Sequence, residues 1–502
     1  GSYVLENIFV RKKKFLLFFT IIIGVSLSAC RLTTDVSRTL NETSSGTTAD
    51  YDVDDVSYET LFDDSVYKKF EIYFSRENFD KLIDDMEHYN DIYGSYRDNT
   101  IQEVDVTYTD GEGNTLQLNE VGFRTKGNVF TRVLPVIKEG DTVIGYQQVA
   151  FQLEFNATFD YATGSTSYNA LKQRDVFDLE QLNFKNIRDM DSGVVTESIG
   201  YDLYREAGVY TSNTSYAMVY FNIEGTMIPY GLYLIQEPID DVFVERYFGR
   251  NLDDSIGDLY KCTWQTYGPA TLGSGYSSIA LGVSDYNDGY RKTYALKTNE
   301  NVLHPDFSSF TDFIGLVNDL DVSSYYDSLS QSLDTDAFAR ALAMGFLVGS
   351  ADDIRSDANN YYMYFNNGGA YYIPFDEDNA LGYGWNPYGD YGISLDITGV
   401  ELAQSYNVAS DYVLVYNLMN DPDFIDLYLG YLDSYTETDG LFNYDSYEAE
   451  YLLIKSLYET EIIETSPLGI QLFDPDMRDM PVSSYYSLKI SSVRTQLEDL
   501  VG

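Results

Sequence analysis

The sequence is short of the side chains on which most nucleophilic enzymes and zinc proteins depend. It contains only two cysteines and two histidines among 502 residues. The histidines, His88 and His304, stand in no recognisable motif, which argues against a Ser-His-Asp or Cys-His nucleophile. Beyond the N-terminal segment Cys262 is the single cysteine, so neither a disulfide framework nor a zinc site is expected. A Walker A phosphate loop is also missing.

Positive charge is scarce as well. Lysine and arginine together number 32 against 80 aspartates and glutamates, which gives a net charge of −48. A surface this acidic repels nucleic-acid backbones and anionic lipid head groups, so we expect no nucleic-acid partner and no membrane contact apart from an anchor. Basic proteins, divalent cations and basic surface polymers are partners of matching charge. The sequence does not indicate an oligomeric state.

The N-terminal region has the organisation of a secretion signal. After Gly1–Val10, which we take as upstream residues, four basic residues at 11–14 precede the apolar run Phe15–Val25. That run is short for a membrane span, and it leads into Leu-Ser-Ala-Cys ending at Cys30, which resembles a bacterial lipobox. We predict a signal peptide over 1–29, lipid on the Cys30 sulfur, and a bacterial lipoprotein at the extracytoplasmic face of the membrane. The alternative is an uncleaved N-terminal anchor.

Composition divides the remaining chain into a spacer and a folded unit. Residues 31–58 are rich in Ser, Thr and Asp and poor in large apolar side chains, which predicts a disordered spacer over 30–62. No second linker of this kind occurs in 63–502, and 44% hydrophobic residues with 48 tyrosines allow a large core. Alternating strands dominate about 63–237 and helical spacing dominates 238–502, which predicts an α+β fold.

The most informative stretch reads as a β-hairpin. Tyr361–Phe365 and Ala370–Phe375 are aromatic-rich and β-prone, and the Asn-Asn-Gly-Gly between them tolerates the positive φ of a tight turn. A turn centred on the Asn-Gly pair places Asn360 opposite the Phe375–Asp376 region. The two outer ends of the hairpin are therefore expected to lie together.

Carboxylates gather at this open end. Asp352 precedes the first strand, and Asp376 and Asp378 follow the second, where residues two apart in an extended chain point the same way. Oxygen ligands without histidine suit Mg²⁺ or Mn²⁺. Protein kinases show the same order of a catalytic Asp, an Asn ligand, a hairpin and a metal-binding Asp. The alternative is an acidic turn that arises by chance in an acidic protein.

The same stretch carries a family resemblance. GSADDIRSDANNYYMYF…AYYIPFDEDNALG resembles the characteristic block of the spore-coat CotH protein kinase family, whose members read W-D-x-Y-x-x-x-x-N-N-Y-Y-L-Y and then I-P-W-D-x-D-x-x-x-G. The resemblance implies a two-lobed, atypical protein-kinase-like fold that uses ATP. It implies that Asp352 is the catalytic aspartate, that Asn360 or Asn359 is a metal ligand, and that Asp376 and Asp378 complete the metal site.

Arg124 and Lys126 form a local positive site in this acidic chain, and their segment resembles the family's R-x-K-G-N motif. The resemblance implies contact with nucleotide phosphates, whereas the alternative is two charges that relieve the acidic background. Three positions depart from the family pattern. Ala351 and Phe375 replace tryptophans, and Gln152 replaces a lysine expected in the next strand.

A third basic candidate lies in LNFKN, which resembles the family's L-N-L-K-N block. There Lys185 precedes a predicted helix, Val194–Ala207, that carries Glu197. A kinase needs a strand lysine paired with a helix glutamate to hold the α- and β-phosphates, and we predict that Lys185 and Glu197 are this pair. Lys126 is the rival lysine, and a surface strand residue is the alternative interpretation of Lys185.

Two further fragments resemble the family. YGLYLIQE, which ends at Glu237, is similar to its Y-G-x-Y-x-x-x-E segment, and GDLYK at Gly257–Lys261 is also family-like. By the resemblance, Glu237 belongs to a hinge whose backbone binds adenine. The resemblance covers most of residues 66–385, with C-terminal helices that diverge.

These observations predict a lipid-anchored kinase that transfers the ATP γ-phosphate to Ser or Thr with Mg²⁺ or Mn²⁺. Its protein substrate is expected to be basic and rich in Ser and Thr. The alternative is a non-catalytic acidic scaffold or adhesin with a degenerate kinase-like fold. A glycosidase built on two carboxylates has only the composition in its favour. A spore role follows from the family name alone.

Overall fold

The computed structural model describes residues 49–187, 191–284, 289–300, 302–319, 321, 324–469 and 473–501. Cys30 and the predicted signal peptide lie outside these ranges. Within them, no helix combines the length and the apolar character that crossing a membrane would require.

The strands fall into two groups along the chain. The first group is β1 Asp50–Tyr51, β2 Lys68–Phe74, β3 Gln102–Asp110, β4 Thr115–Thr125, β5 Val136–Glu139, β6 Thr142–Tyr146, β7 Phe151–Glu154, β8 Gln181–Asn186, β9 Thr214–Ile223 and β10 Thr226–Gln236. The second is β11 Asp258–Cys262, β12 Leu281–Gly282, β13 Tyr294–Leu296, β14 Tyr361–Asn366 and β15 Gly369–Pro374.

The helices are concentrated in the second half. They are α1 Tyr58–Leu61, α2 Arg76–Tyr93, α3 Thr166–Lys172, α4 Thr196–Glu206, α5 Asp241–Phe248, α6 Ser308–Asp319, α7 Tyr325–Leu329, α8 Thr335–Val348, α9 Val413–Met419, α10 Pro422–Tyr435, α11 Tyr444–Thr465 and α12 Val482–Val501. Sheets and helices together agree with the predicted mixture of α and β structure.

Eight strands of the first group build a sheet that closes on itself, and β5 and β6 form a separate two-stranded sheet. The order of the closed sheet is β1-β4-β3-β2-β9-β10-β8-β7, and β4 also pairs with β7, so all of these strands except β1 form a ring. Side chains alternate along β2, where Phe70, Ile72 and Phe74 are fully buried and the residues between them are not. Phe151 and Phe184 stack with centroids 4.5 Å apart inside the ring. The enclosed aromatic core fixes the strands that carry the basic candidates.

Part of the predicted spacer belongs to the folded unit. Residues 49–62 fall in the predicted spacer, yet Tyr51 pairs with Leu116, and α1 buries Tyr58 and Leu61 against the aromatic core. This part of the spacer prediction is wrong. The cause is that a few apolar side chains in a polar segment are sufficient once a preformed sheet offers them a surface.

The second half contains a sheet that helical spacing did not predict. Its order is β12-β13-β11-β14-β15. Strand β11 pairs with β14 and so joins the predicted hairpin to the rest of this sheet, with Lys261 opposite Tyr362. Around it α6–α12 form one large core. Residues 237–240 connect the closed sheet to α5. The two sheets meet near the hairpin's open end, where Lys185 of β8 pairs with Asp376.

Candidate active site

The predicted hairpin is present. β14 and β15 pair from Tyr361↔Pro374 to Asn366↔Gly369, and Asn367 and Gly368 turn the chain with φ of 52° and 79°. The Phe375 N–H donates to the Asn360 carbonyl over 3.1 Å. The prediction that Asn360 lies opposite the Phe375–Asp376 region is therefore confirmed.

The two asparagines before β14 hold the candidate base. Asn359 Nδ2 donates to Asp352 Oδ1 over 2.8 Å, and Asn360 Nδ2 donates to Asp352 Oδ2 over 3.0 Å. The Asn359 Oδ1 accepts the Trp264 N–H over 2.7 Å. Because the Asn359 oxygen is already engaged, Asn360 is the better of the two candidate metal ligands.

Asp357 is an acidic neighbour that sequence reasoning missed. It is 5% exposed, and its carboxyl faces that of Asp352. Burial raises the pKa of Asp352 to about 6, and burial together with the Asp352 charge raises the pKa of Asp357 to about 8. Because the two carboxyls are coupled, they hold one proton between them as a pair near neutral pH, which keeps one negative charge at this position.

Lys185 lies between two carboxylates. Its Nζ is 2.5 Å from Glu197 Oε1 and 2.5 Å from Asp376 Oδ1. Burial disfavours the charged lysine, but Asp376, Glu197 and Asp378 raise the pKa of Lys185 well above its ordinary value. The structure thus brings together the lysine and glutamate that the sequence paired, and it adds the candidate metal aspartate to them.

Asp376 is positioned differently from the expectation. β15 ends at Pro374, and Asp376 has a φ of 66°, so the expected extended segment with Asp376 and Asp378 on one side is wrong. The Asp376 N–H donates to the Tyr201 hydroxyl over 2.8 Å, and the same hydroxyl accepts from Gln236 Nε2 over 2.6 Å. Helix α4 and strand β10 therefore hold the aspartate in the left-handed conformation.

The proposed metal ligands fit a hard cation by their chemistry. Asp376, Asp378 and Asn360 offer only oxygen, and the charges of Asp376 and Asp378 both act on Asp352. In the described ranges, the group of three acidic side chains with ligand atoms within 4.8 Å of one another is a different one, Asp64, Asp202 and Glu450. Nucleotide phosphates complete many magnesium sites that have few carboxylates, and two carboxylates with one amide are a ligand set of that size.

Cations meet beside Lys185 in an otherwise acidic protein. Lys126 Nζ donates to Asn183 Oδ1 over 2.6 Å. Burial, followed by the charges of Arg124, Lys261, Lys297 and Lys185, lowers the pKa of Lys126 well below its ordinary value. Such mutual repulsion is relieved by a polyanion, and a nucleotide triphosphate is one.

Lys261 is a cation that the sequence did not single out, although it ends the family-like GDLYK. Its Nζ lies 4.6 Å from the Phe375 ring centroid and 5.7 Å from that of Tyr362, and it has no hydrogen bond or ion pair with the described residues. Burial and the neighbouring cations lower its pKa to about 8, although Asp376 acts in the opposite direction. Lys261 is therefore available to an anionic ligand.

Arg124 is less available to an anionic ligand than Lys261. Its Nε pairs with Glu154 Oε1 at 2.9 Å, and its Nη2 donates to Gln152, its register partner on β7. Gln152, at the position where the family pattern has lysine, thus orients Arg124. Of the predicted basic residues, Arg124 and Lys185 are paired with carboxylates, whereas the side-chain contact of Lys126 among the described residues is to the neutral amide of Asn183.

Glu237, predicted to belong to an adenine-binding hinge, directly follows β10. Its side chain is fully buried and pairs with Arg246 at 3.3 Å. The Glu237 N–H donates to the Asn213 carbonyl over 2.8 Å, and its carbonyl accepts from Ser212 Oγ over 2.8 Å. Both backbone polar groups of Glu237 are thus already hydrogen-bonded within the protein, and its contact with adenine stays a prediction.

Comparisons with known proteins bear on this site. A chain of the Shewanella oneidensis MR-1 toxin–antitoxin complex of HipA, HipB and operator DNA is similar at 14% identity, over 64% of this chain and 59% of that chain, with a TM-score of 0.24. This chain therefore spans less than two thirds of the length of that chain. A TM-score this low supports no conclusion about the present protein. No curated protein matches the sequence.

The family comparison is specific. The profile of the family described as CotH kinase protein matches residues 140–473. The match begins after Arg124 and Lys126 and contains Lys185, Asp352 and Asp376. It also continues past residue 385 into the C-terminal helices that we expected to diverge. Because this match spans more than half of the chain, the protein belongs to the CotH kinase protein family.

Proposed function

We propose that the protein is an atypical protein kinase that transfers the γ-phosphate of ATP to a Ser or Thr hydroxyl. Membership of the family supports kinase-type chemistry with ATP and a divalent metal in general. The observation that carries the proposal is the position of Lys185 between Glu197 and Asp376, because phosphoryl transfer needs these three roles side by side.

In this proposal the closed sheet and the helical half act as the two lobes, with ATP between them. Lys185, Lys126 and Lys261 neutralise the phosphates, and the Lys185–Glu197 pair fixes the direction from which Lys185 approaches. Asp376, Asp378 and Asn360 would hold Mg²⁺ or Mn²⁺, which supplies charge neutralisation between the β- and γ-phosphates when bound.

Asp352 is the proposed base. Two asparagine amides donate to its carboxylate, and these hydrogen bonds orient it and favour its ionised form. Asp352 accepts the proton of the attacking hydroxyl, and the oxygen of that hydroxyl forms the new bond to phosphorus as the bond to ADP breaks. The lipid anchor at Cys30, the extracytoplasmic location and a basic Ser/Thr-rich substrate belong to the same proposal.

The test incubates the full chain with γ-labelled ATP, Mg²⁺ or Mn²⁺, and a basic Ser-rich acceptor protein. We expect metal-dependent labelling that falls at least about 100-fold in Asp352→Ala and Asp376→Ala. Asp312→Ala is the matched control, because Asp312 is exposed on α6. Full activity in Asp376→Ala would reject the site.

The alternative to an enzyme is an acidic scaffold with a degenerate kinase-like fold. Gln152 at a family lysine position and its use in orienting Arg124 are the observations in its favour. Absence of labelling together with no ATP-induced rise in melting temperature would favour the scaffold.

A further inference from the structure

An aromatic pair lies beside the proposed base. Trp264, two residues after the end of β11, and Tyr406, in the loop before α9, meet edge to face with ring centroids 6.5 Å apart. Tyr406 is 70% exposed, which is unusual for a tyrosine in a protein whose other tyrosines are largely core residues. We call Trp264 and Tyr406 the aromatic platform.

Hydrogen bonds fix both sides of the platform to the loop that carries Asp352. On one side, the Trp264 N–H donates to Asn359, whose amide donates to Asp352. On the other side, the Ala403 N–H donates to the Ser356 carbonyl over 2.8 Å. The backbone of Trp264 is therefore two hydrogen bonds away from Asp352, and the segment that leads to Tyr406 is bonded to the same loop.

The chemistry around the platform selects for positive charge. Gln404, two residues before Tyr406, faces the Asp357 carboxyl, and Asp357 Oδ1 is buried without a hydrogen-bond partner in the described structure. Aromatic faces, that of Trp most strongly, attract ammonium and guanidinium groups. The net charge of −48 extends this preference to the whole surface.

We propose that the aromatic platform is the docking site for a Lys or Arg side chain flanking the acceptor Ser or Thr of a basic peptide. This inference rests on the proposed kinase function and adds the residues that choose the substrate. Arg or Lys stacks on Trp264 and Tyr406, and the neighbouring hydroxyl of the peptide is thereby presented to Asp352.

The test compares two Ser-containing peptides, one with flanking arginines and one with glutamines in their place. We expect Trp264→Ala and Tyr406→Ala to raise KM for the arginine peptide about tenfold, with kcat changed less than about twofold. KM for the glutamine peptide and the affinity for ATP should stay unchanged. Tyr73→Ala is the control, since Tyr73 is exposed on β2.

A binding measurement separates this inference from the kinase proposal. Trp264 and Trp385 are the two tryptophans, so Trp385→Phe leaves Trp264 as the fluorescent reporter. Quenching by the arginine peptide and not by the glutamine peptide, lost in Tyr406→Ala, would support the docking site even if no phosphate were transferred. Quenching by a neutral oligosaccharide in place of the peptide would overturn it. So would unchanged KM in both platform variants of an active kinase.

Discussion

The ammonium of Lys185 lies 2.5 Å from the carboxylate of Asp376, although 191 positions separate the two residues in the chain. This ion pair joins strand β8 of the closed sheet to the end of the hairpin in the second sheet. Both side chains are partly buried, so the pair exists in surroundings where an unpaired charge is costly. The proposed active site is therefore also a contact that holds the two sheets together.

Replacing Lys185 tests its place in the site. Lys185→Met should lower phosphoryl transfer at least about 100-fold, because the phosphates lose the cation fixed by Glu197. Glu197→Gln, which keeps the shape of the side chain, should cause a smaller loss. Lys172→Met, at an exposed lysine of α3, is the control for a change of net charge. Equal activity of Lys185→Met and Lys172→Met would contradict the role of Lys185.

Lys261 should discriminate between nucleotides by their charge. Lys261→Met is expected to weaken ATP binding about tenfold, and AMP binding much less, because only the longer phosphate chain needs the additional cation. Lys261→Arg should retain most of the affinity. Titration calorimetry with ATP and AMP measures both. An equal loss for the two nucleotides would indicate that Lys261 only packs on Phe375.

Stability should fall as the pH rises through the neutral range. Burial raises the pKa of Asp64 to about 8 and that of Glu450 to about 7. Because these acids bind protons more tightly in the folded chain, their contribution is complete below the unfolded pKa and is lost as the pH rises to about 8. The lowered pKa of Lys68, about 8, has the opposite effect only above that range.

Melting temperatures at pH 5.5 and pH 7.5 give the measurement, with the lower value expected at pH 7.5. Glu450→Gln should reduce the difference, since it removes one of the two groups. A melting temperature that rises over this interval would contradict the raised pKa values of Asp64 and Glu450.

The segment assigned to the spacer should contribute to folding. The Tyr58 hydroxyl accepts a hydrogen bond from Asn213 Nδ2 over 2.7 Å. The Arg246 guanidinium lies 3.9 Å from the centroid of the Tyr58 ring. Tyr58→Ala is expected to lower the free energy of unfolding by about 3 kcal/mol, and Tyr58→Phe by about 1 kcal/mol. Urea denaturation measures both. Tyr73→Ala, at an exposed tyrosine, should have little effect.

The structural features that the sequence predicted best are those formed by residues close together in the chain. The hairpin follows from aromatic strands around Asn367 and Gly368, and its pairing brings Asn360 to Phe375 without further information. Lys185 and Glu197 are 12 residues apart, and a strand followed by a helix readily places them together. Motif resemblance then supplied the roles that geometry alone leaves open.

The features that the sequence did not predict depend on how the folded chain pairs and turns, and local patterns do not specify this. Lys261 enters the site because β11 pairs with β14, about 100 residues later, and no local pattern marks that register. Asp357 comes to Asp352 through a compact turn in which the Asp357 N–H bonds to the Asp353 carbonyl. The closure of the first sheet through β4 and β7 likewise depends on pairing that alternation cannot specify.

Metal-dependent nucleotide binding tests the central claim most directly. ATP is titrated into the wild-type protein and into Asp376→Ala, each with and without Mn²⁺, by calorimetry. If Lys185 and Asp376 form a nucleotide and metal site, Mn²⁺ will tighten ATP binding in the wild type and will have no effect in Asp376→Ala. The same enhancement by Mn²⁺ in both proteins would contradict the assignment of Asp376 and with it the proposed active site.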